Sequence, residues 1–424
     1  MKKMKTITQM LPRLAFARSL RNRIVCDGLL ILAFAHLLVL FTACEREPLL
    51  HLYDAQSAEM ELPIVDLDLQ VYWNYEMEFD VDYDWEAEWY YGWDKNDSLL
   101  WGPIGYTKPE VFKVRRYFTG DVPYAPHTAV IRSTVQGNHF QGAYDWGFWD
   151  ILVWNEIQST EGVQSIVIDE ESSLDSVMAY TNQTMHASRY QAPRFTRAFY
   201  SPEPLFAAYD QAEEINRNLE GFDYDSERNV YTKKLNMKLV PITYIYLTQI
   251  ILRHNYGRVE SIDGNANLSG MARSTNVNTG RAGSDAITVY YNVRMKKDQP
   301  LIPYKNRKTS AVKASNRATP ENVDIIGGRL LSFGMCHNAS NLISRASEVD
   351  DPYRHYMDVT MQFNNGMDST FVFDVTNQVR SHYKGGVITV YLDMDTIPIP
   401  TRKGGSGFNA VVQEPDSLTY EFNM

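Results

Sequence analysis

"RHYMDVTMQFNNGMDSTFVFDV", residues 354–375, decides the fold class. Its flanks, "RHYMDVTMQF" (354–363) and "STFVFDV" (369–375), are rich in β-branched and aromatic side chains, which suit a pleated surface. Between them "NNGMD" holds Asn365-Gly366, two residues that tolerate positive φ and so favour a tight reversal. Two strands around such a turn form a hairpin, and the hairpin sets the pattern for the rest of the chain.

Working outward, strands are predicted at 64–75, 110–118, 127–135, 148–154, 163–168, 229–240, 242–253, 286–295 and 386–394, punctuated by Gly, Pro and Asn. Successive strands without alternating helices predict antiparallel β-sandwiches rather than a βαβ sheet. One helix is predicted. Ser201 can cap "PEPLFAAYDQAEEINRNLEG", Pro202 suits a first turn, and Leu205, Tyr209, Ala212, Ile215 and Leu219 make one apolar stripe before Gly221. All eight tryptophans, Trp73, Trp85, Trp89, Trp93, Trp101, Trp146, Trp149 and Trp154, precede it. The expectation is therefore an all-β protein with one sandwich over 45–210, a second over 211–424, and a short helix linking them. Residues 303–322, basic and poor in large apolar side chains, read as a mobile loop in the second domain.

Residues 1–44 read as an export signal. Seven basic residues, Lys2 to Arg23, precede the apolar run Gly28 to Ala43, which is shorter than the roughly 20 residues a spanning helix needs. The run ends "FTAC", and small residues before Cys44 resemble a bacterial lipobox, in which the cysteine is lipidated. A plain signal peptide and an uncleaved anchor are the alternatives. Without residues 1–44 the chain has a single further thiol, Cys336, so it carries no disulfide framework. It then holds 34 basic and 51 acidic residues, a net charge of −17, which argues against nucleic acid as a partner.

"DVDYDWEAEWYYGWD" (80–94) extends a row of acids at every second position from Glu76 to Glu88. Spacing of two puts the acids on one face of a strand and Phe79, Val81, Tyr83, Trp85 and Trp89 on the other. It is not a calcium loop of the EF-hand type, because the sixth and twelfth positions hold Trp85 and Tyr91 instead of Gly and Glu. Eleven residues from Tyr72 to Trp101 are aromatic, more than one strand face buries. Trp89, Tyr90, Tyr91, Trp93 and Trp101 are thus candidate contacts for a partner or for a glycan.

Catalytic constellations are hard to find. Ser406 in "GGSGF" lacks the second Gly of a nucleophile elbow, and no HExxH, CxxC or phosphate loop occurs. Cys336 and His337 are strand neighbours, which point to opposite faces, so a buried inert thiol is expected. His127 and His139 fit no metal spacing. Asp145 and Asp150 in "YDWGFWDILVW" could form an acid pair, although sandwich strands give that spacing for free. The reading calls for no enzyme, no metal and no cofactor beyond a covalent lipid on Cys44.

"GFWDILVWNEIQSTEGV" (147–163), "SPEPLF" (201–206), "NANLSGMA" (265–272), "IIGGRLLSFGM" (325–335) and "GGSGFNAVVQEPDSLTYEF" (404–422) resemble, in order and spacing, a family of Bacteroidetes lipoproteins similar to the fimbrillin-associated anchor proteins of type V pili. The resemblance implies two transthyretin-like sandwiches, an outer-membrane anchor at Cys44, and a role as anchor or accessory subunit of a surface fimbria, joined to other fimbrial subunits by strand addition. It supplies no catalytic residue. A surface glycan-binding lipoprotein is the rival reading, carried by the tryptophan-rich first domain.

Overall fold

The computed structural model describes residues 62–72, 83–157, 164–170, 177–184, 198–309, 321–337, 353–401 and 410–412, and each structural statement concerns these. Those from Pro63 onward, apart from Arg228–Val230, belong to one compact unit. In chain order the strands are β1 (Ile64–Val71), β2 (Val111–Gly120), β3 (Ala129–Gln136), β4 (His139–Ala143), β5 (Gly147–Asn155), β6 (Ile166–Asp169), β7 (Met178–Thr181), β8 (Ala198–Tyr200), β9 (Phe206–Ile215), β10 (Asp223–Asp225) and β11 (Val230–Pro241). The second half adds β12 (Tyr244–Arg253), β13 (Val259–Ala272), β14 (Ser274–Asn276), β15 (Ala286–Pro300), β16 (Asn322–Ser332), β17 (Tyr356–Phe363), β18 (Asp368–Asp374), β19 (Gly386–Asp393) and β20 (Ala410–Val412). Short helical segments α1 (Trp85–Glu88), α2 (Lys95–Trp101), α3 (Tyr304–Thr309) and α4 (Thr376–Ser381) complete the described elements, and none is long and apolar enough to cross a membrane.

The chain is all-β, and each member of the predicted strand series from 64–75 to 386–394 has its counterpart. The hairpin at 354–375 forms as β17–β18, with Met361 opposite Ser369. Its reversal uses one positive φ, at Gly366, while the Asn365 side chain accepts the Met367 N–H (3.0 Å) and donates to Pro400 O (2.6 Å).

Two large sheets carry the architecture. The first runs β3-β2-β5-β9-β11-β1-β4. β9 meets β11 only at Ala207↔Val240 and Phe206↔Pro241, and there the sheet folds over. Leu67 of β1, Phe112 of β2, Ile151 of β5, Phe206 of β9 and Leu239 of β11 share the enclosed core. The second sheet runs β19-β12-β16-β15-β13-β17-β18-β20 and closes over Tyr246, Leu268, Val289, Met361, Phe371 and Ile388. A third cluster, including Trp154, Ala179, Leu205, Ile242, Ala272, Phe333 and Cys336, draws on both halves of the chain, and the small sheet β14-β7-β6 interlaces them.

The linking helix expected over 201–221 is absent, because residues 206–215 are β9, paired antiparallel with β5. The apolar stripe had a different cause. At Ala212 the backbone takes φ 59°, the register against β5 shifts between Trp149 and Ile151, and the parity of the strand inverts. Leu205 and Tyr209 pack in the third cluster before the irregularity and Ile215 in the core of the first sheet after it, so side chains on two faces of a bulged strand imitate one helical stripe. The boundary expected between 210 and 211 falls inside β9; β8, earlier in the chain, already pairs with β15 of the second sheet, β9 and β11 return to the first, and the chain passes to the second again between Pro241 and Tyr244. The basic stretch 303–322 is not all loop: it opens with α3 and ends in β16, and its residues 310–320 lie outside the described set.

Candidate functional site

Residues 83–106 form an aromatic strap across the second sheet. The expected strand stops short of it: Trp85–Glu88 is a helical turn, with Asp84 Oδ1 accepting the Ala87 N–H at 3.3 Å. Lys305 of α3 bonds to Asp84 and holds its carboxyl below the usual range. A local cap outweighs an accidental alternation of acids. Residues 76–82 of that row lie outside the described set.

The strap is fixed by buried polar groups. Gln249, in the middle of β12 and 0 % exposed, accepts the N–H groups of Tyr90 (2.7 Å) and Tyr91 (3.1 Å) and donates to Glu88 O (2.7 Å) and Thr389 Oγ1 (2.8 Å). Asp94 and Asp97 close a capping box on α2. Asp97, also 0 % exposed, takes the Tyr91 hydroxyl at 2.9 Å, Lys296 at 2.6 Å and Arg294. Lys296 also lies 4.0 Å over the Tyr91 ring. Burial and the Asp97 charge push the Tyr91 phenol far up, so it remains a hydrogen-bond donor. Gly327 of β16 is obligatory beneath that ring, since a Cβ there would come within 2.3 Å of Tyr91.

The five aromatic candidates therefore divide. Trp89 and Tyr91 have no exposed surface, and Tyr90, Trp93 and Trp101 are half-buried against the same cluster, which includes Ile245, Leu247, Ile251, Val323, Ile325 and Val387. Trp93 and Trp101 pack on one another with centroids 5.3 Å apart. The density of aromatics that suggested an external contact is used to cover the outer face of β12, β16 and β19. An apolar pocket lined by Trp85, Ile104, Tyr106, Ile245 and Leu247 marks one border of the strap.

The other sequence candidates do not converge. Asp150 is buried, with Oδ2 2.8 Å from His127 Nε2 and Oδ1 accepting the Ala212 N–H at 2.7 Å, whereas Asp145 is exposed. His139 meets Asp66 instead, at 3.0 Å. Cys336 is buried beside Gly270 O. Cys44 lies outside the described residues. His254, Asp393 and Asp395 gather at the end of β12 with ligand atoms within 4.8 Å, a grouping the sequence hid because the acids lie far along the chain. Arg258 already stands 3.6 Å from Asp395, where it supplies positive charge.

A feature the sequence reading did not single out is the edge of the first sheet at β3, which has no further strand beside it among the described residues. β3 terminates the strand order, and Ala129, Val130, Ile131 and Arg132 are all exposed. Beneath this edge lies Arg116, buried among aromatic rings. An exposed edge strand of β-branched residues is a ready template for another chain's strand.

No family model matches the chain, and no curated protein matches it. Several solved structures are similar to it in backbone. A proposed adhesin from Bacteroides ovatus is 13 % identical at a TM-score of 0.43, over 80 % of this chain and 94 % of that one. A proposed polysaccharide-binding protein from Bacteroides thetaiotaomicron is 7 % identical at 0.37, over 78 % and 91 %. The fimbrial anchor protein Mfa2 from Porphyromonas gingivalis is 10 % identical at 0.34, over 78 % and 90 %.

Proposed function

We propose that this protein is a cell-surface adhesion protein, held at the outer membrane by lipid on Cys44, that serves as an anchor or accessory subunit of a type V-like fimbria. The observation that carries the reading is the edge of β3, eight residues long, exposed over its first half, and without a further strand beside it among the described residues. Main-chain groups on such an edge give affinity to an incoming strand without any catalytic residue. The lipobox supports the anchor, because two or three acyl chains hold a membrane stably where one does not. The sequence phrases that resemble fimbrial anchor proteins support the fimbrial role.

The test is genetic. Deleting the gene is expected to reduce the attachment or length of surface fimbriae, and Cys44→Ala is expected to release the protein from the membrane fraction and shed fimbriae into the medium. Fimbriae unchanged in amount, length and attachment in the deletion strain would remove the proposal. Glycan binding keeps only the half-buried Tyr90, Trp93 and Trp101 as support, and no geometric observation favours it.

A further inference from the structure

β3 and β4 are consecutive strands joined through Gly137 and Asn138, yet they terminate opposite ends of the first sheet, and among the described residues they do not pair. The folded sheet is therefore open between them. Along β3 the positions Ala129, Ile131, Ser133 and Val135 share the core-facing parity, as the pairing of Phe112 with Val135 fixes. Val135 is 6 % exposed, but Ile131 is 37 % exposed and Ala129 is also exposed. Among the described residues, the core side at this end of the strand lacks a cover.

The charge beneath the opening is unusual. β2 and β3 hold four basic side chains, Lys113, Arg115, Arg116 and Arg132, and no acid, within a chain of net charge −11. Lys113 meets Glu156 at 2.6 Å, and Arg115 and Arg132 meet Glu170 at 2.7 and 3.5 Å. Arg116 points the other way, into the fold, where its guanidinium lies 5.3 Å over Phe140 and 4.9 Å over Tyr144. Its Nη1 donates to Ala143 O of β4 at 2.9 Å, but its Nε is buried without a hydrogen-bond partner, and the residue is only 7 % exposed. Ring faces recover part of the cost of burying a cation, but a buried donor with no acceptor remains unfavourable. The group best suited to meet it is a carboxylate, which accepts from a guanidinium in a planar fork.

We propose that the opening between β3 and β4 is a strand-acceptor site that reads a carboxylate: an extended segment of a partner protein adds along β3 and presents an Asp or Glu side chain to Arg116. Arg116 stands opposite Ile131 in the β2–β3 register, so a residue placed beside Ile131 with core-facing parity has the guanidinium within its sector. This rests on the strand-joining role proposed above and specifies the partner as an acidic extended strand.

The experiment uses full-length protein in detergent and two end-blocked eight-residue peptides of alternating Val and Thr, one with a central Asp and one with Asn. Blocked ends leave the side chain as the single carboxylate. By fluorescence anisotropy the Asp peptide is expected to bind about tenfold more tightly than the Asn peptide, as for a desolvated charge pair. Arg116→Gln should erase the difference, Arg116→Lys should keep part of it, and Val130→Pro, which removes an N–H on the side of β3 away from β2, should weaken both peptides by blocking the edge. Equal binding of the two peptides to the unmodified protein, binding of neither, or an Asp preference that survives Val130→Pro would overturn the proposal. The first comparison needs no variant, so it decides the matter even where Arg116→Gln misfolds. Failure here leaves the fimbrial role standing if deletion still detaches fimbriae.

Discussion

The two large sheets finish their edges in opposite ways. At β19, the edge of the second sheet, the outward Val387 N–H donates to Tyr83 Oη at 2.8 Å. The Gln378 side chain then stands in for a neighbouring strand, accepting the Thr389 N–H at 2.7 Å and donating to Thr389 O at 2.9 Å. β3, an edge of the first sheet, has no such cap among the described residues and exposes four consecutive residues. A protein that spends a tyrosine and a glutamine to silence one edge is built to control where strands can add. The difference supports the proposed joining role of β3 and leaves a protected interior at β12 and β19.

The strongest way to break this contrast is to remove the cover. Trp89 is fully buried, packs 5.5 Å from the Tyr91 ring, and lies over the outer face of β12. Trp89→Ala should cost about 3–5 kcal/mol in urea unfolding, the range for deleting a buried aromatic side chain. It should also raise binding of a hydrophobic dye as Ile245, Leu247 and Ile251 become accessible. Val130→Ala on the open edge, where the residue is 36 % exposed, should change stability by less than about 0.5 kcal/mol. Equal losses at the two sites would show that the strap does not protect the sheet.

This contrast shows what was legible in the sequence. β12 reads as a strand from "YIYLTQIILR" alone, and its continuous apolar run fits burial on both faces. The hairpin at 354–375 was equally clear. β13 was not, because Asn, Asp, Gly and Ser dominate "VESIDGNANLSGMA"; its strand state is imposed by pairing with β15 and β17. β9 escaped through the parity change at Ala212. The aromatic candidates were found as a cluster, but their direction was not. Tyr90 and Tyr91 are turned inward by Gln249, 159 and 158 positions away, a contact that no local pattern encodes. Arg116 was hidden for a simpler reason: in "KVRRYF" it looks like its neighbour Arg115, and only strand parity sends the two to different surroundings.

Charge sharpens the same comparison. The second sheet buries Asp358 of β17, 4 % exposed, and burial pushes its carboxyl up to about 7, while a 2.8 Å hydrogen bond from Asn267 pulls it down. An unfolded aspartate titrates near about 3.9. The folded form therefore binds the proton more tightly, and the stability from this group is complete below about pH 4 and lost as pH rises through 7. Glu203, likewise pushed up to about 7 by burial, acts in the same direction. Asp358→Asn keeps the acceptor for Asn267 and removes the titration, so it should raise stability at pH 8 by up to about 4 kcal/mol and flatten the pH 4–8 profile. Urea unfolding at pH 4, 6 and 8 measures this; a variant whose profile matches the unmodified protein's would show that Asp358 does not titrate in this window.

The smallest energetic change should have the most specific consequence. Gln378→Ala removes two hydrogen bonds to Thr389 while leaving the core beneath β19 intact, so the expected loss is about 1–2 kcal/mol. What it creates is an uncapped backbone pair at the edge of a sheet, next to Tyr391, which is 42 % exposed. Self-association should follow, seen as a concentration-dependent dimer in sedimentation, because an edge strand that loses its guard pairs with whatever strand it meets. Gln378→Glu tests the interpretation. It keeps the acceptor for the Thr389 N–H, loses the donor to Thr389 O, and adds a charge that repels a second copy, so it should lose comparable stability and remain monomeric. If Gln378→Ala also remained monomeric, the closed edge would owe its silence to the strap and to Tyr83, and the contrast with β3 would rest on coverage of the sheet face instead of capping of its hydrogen bonds.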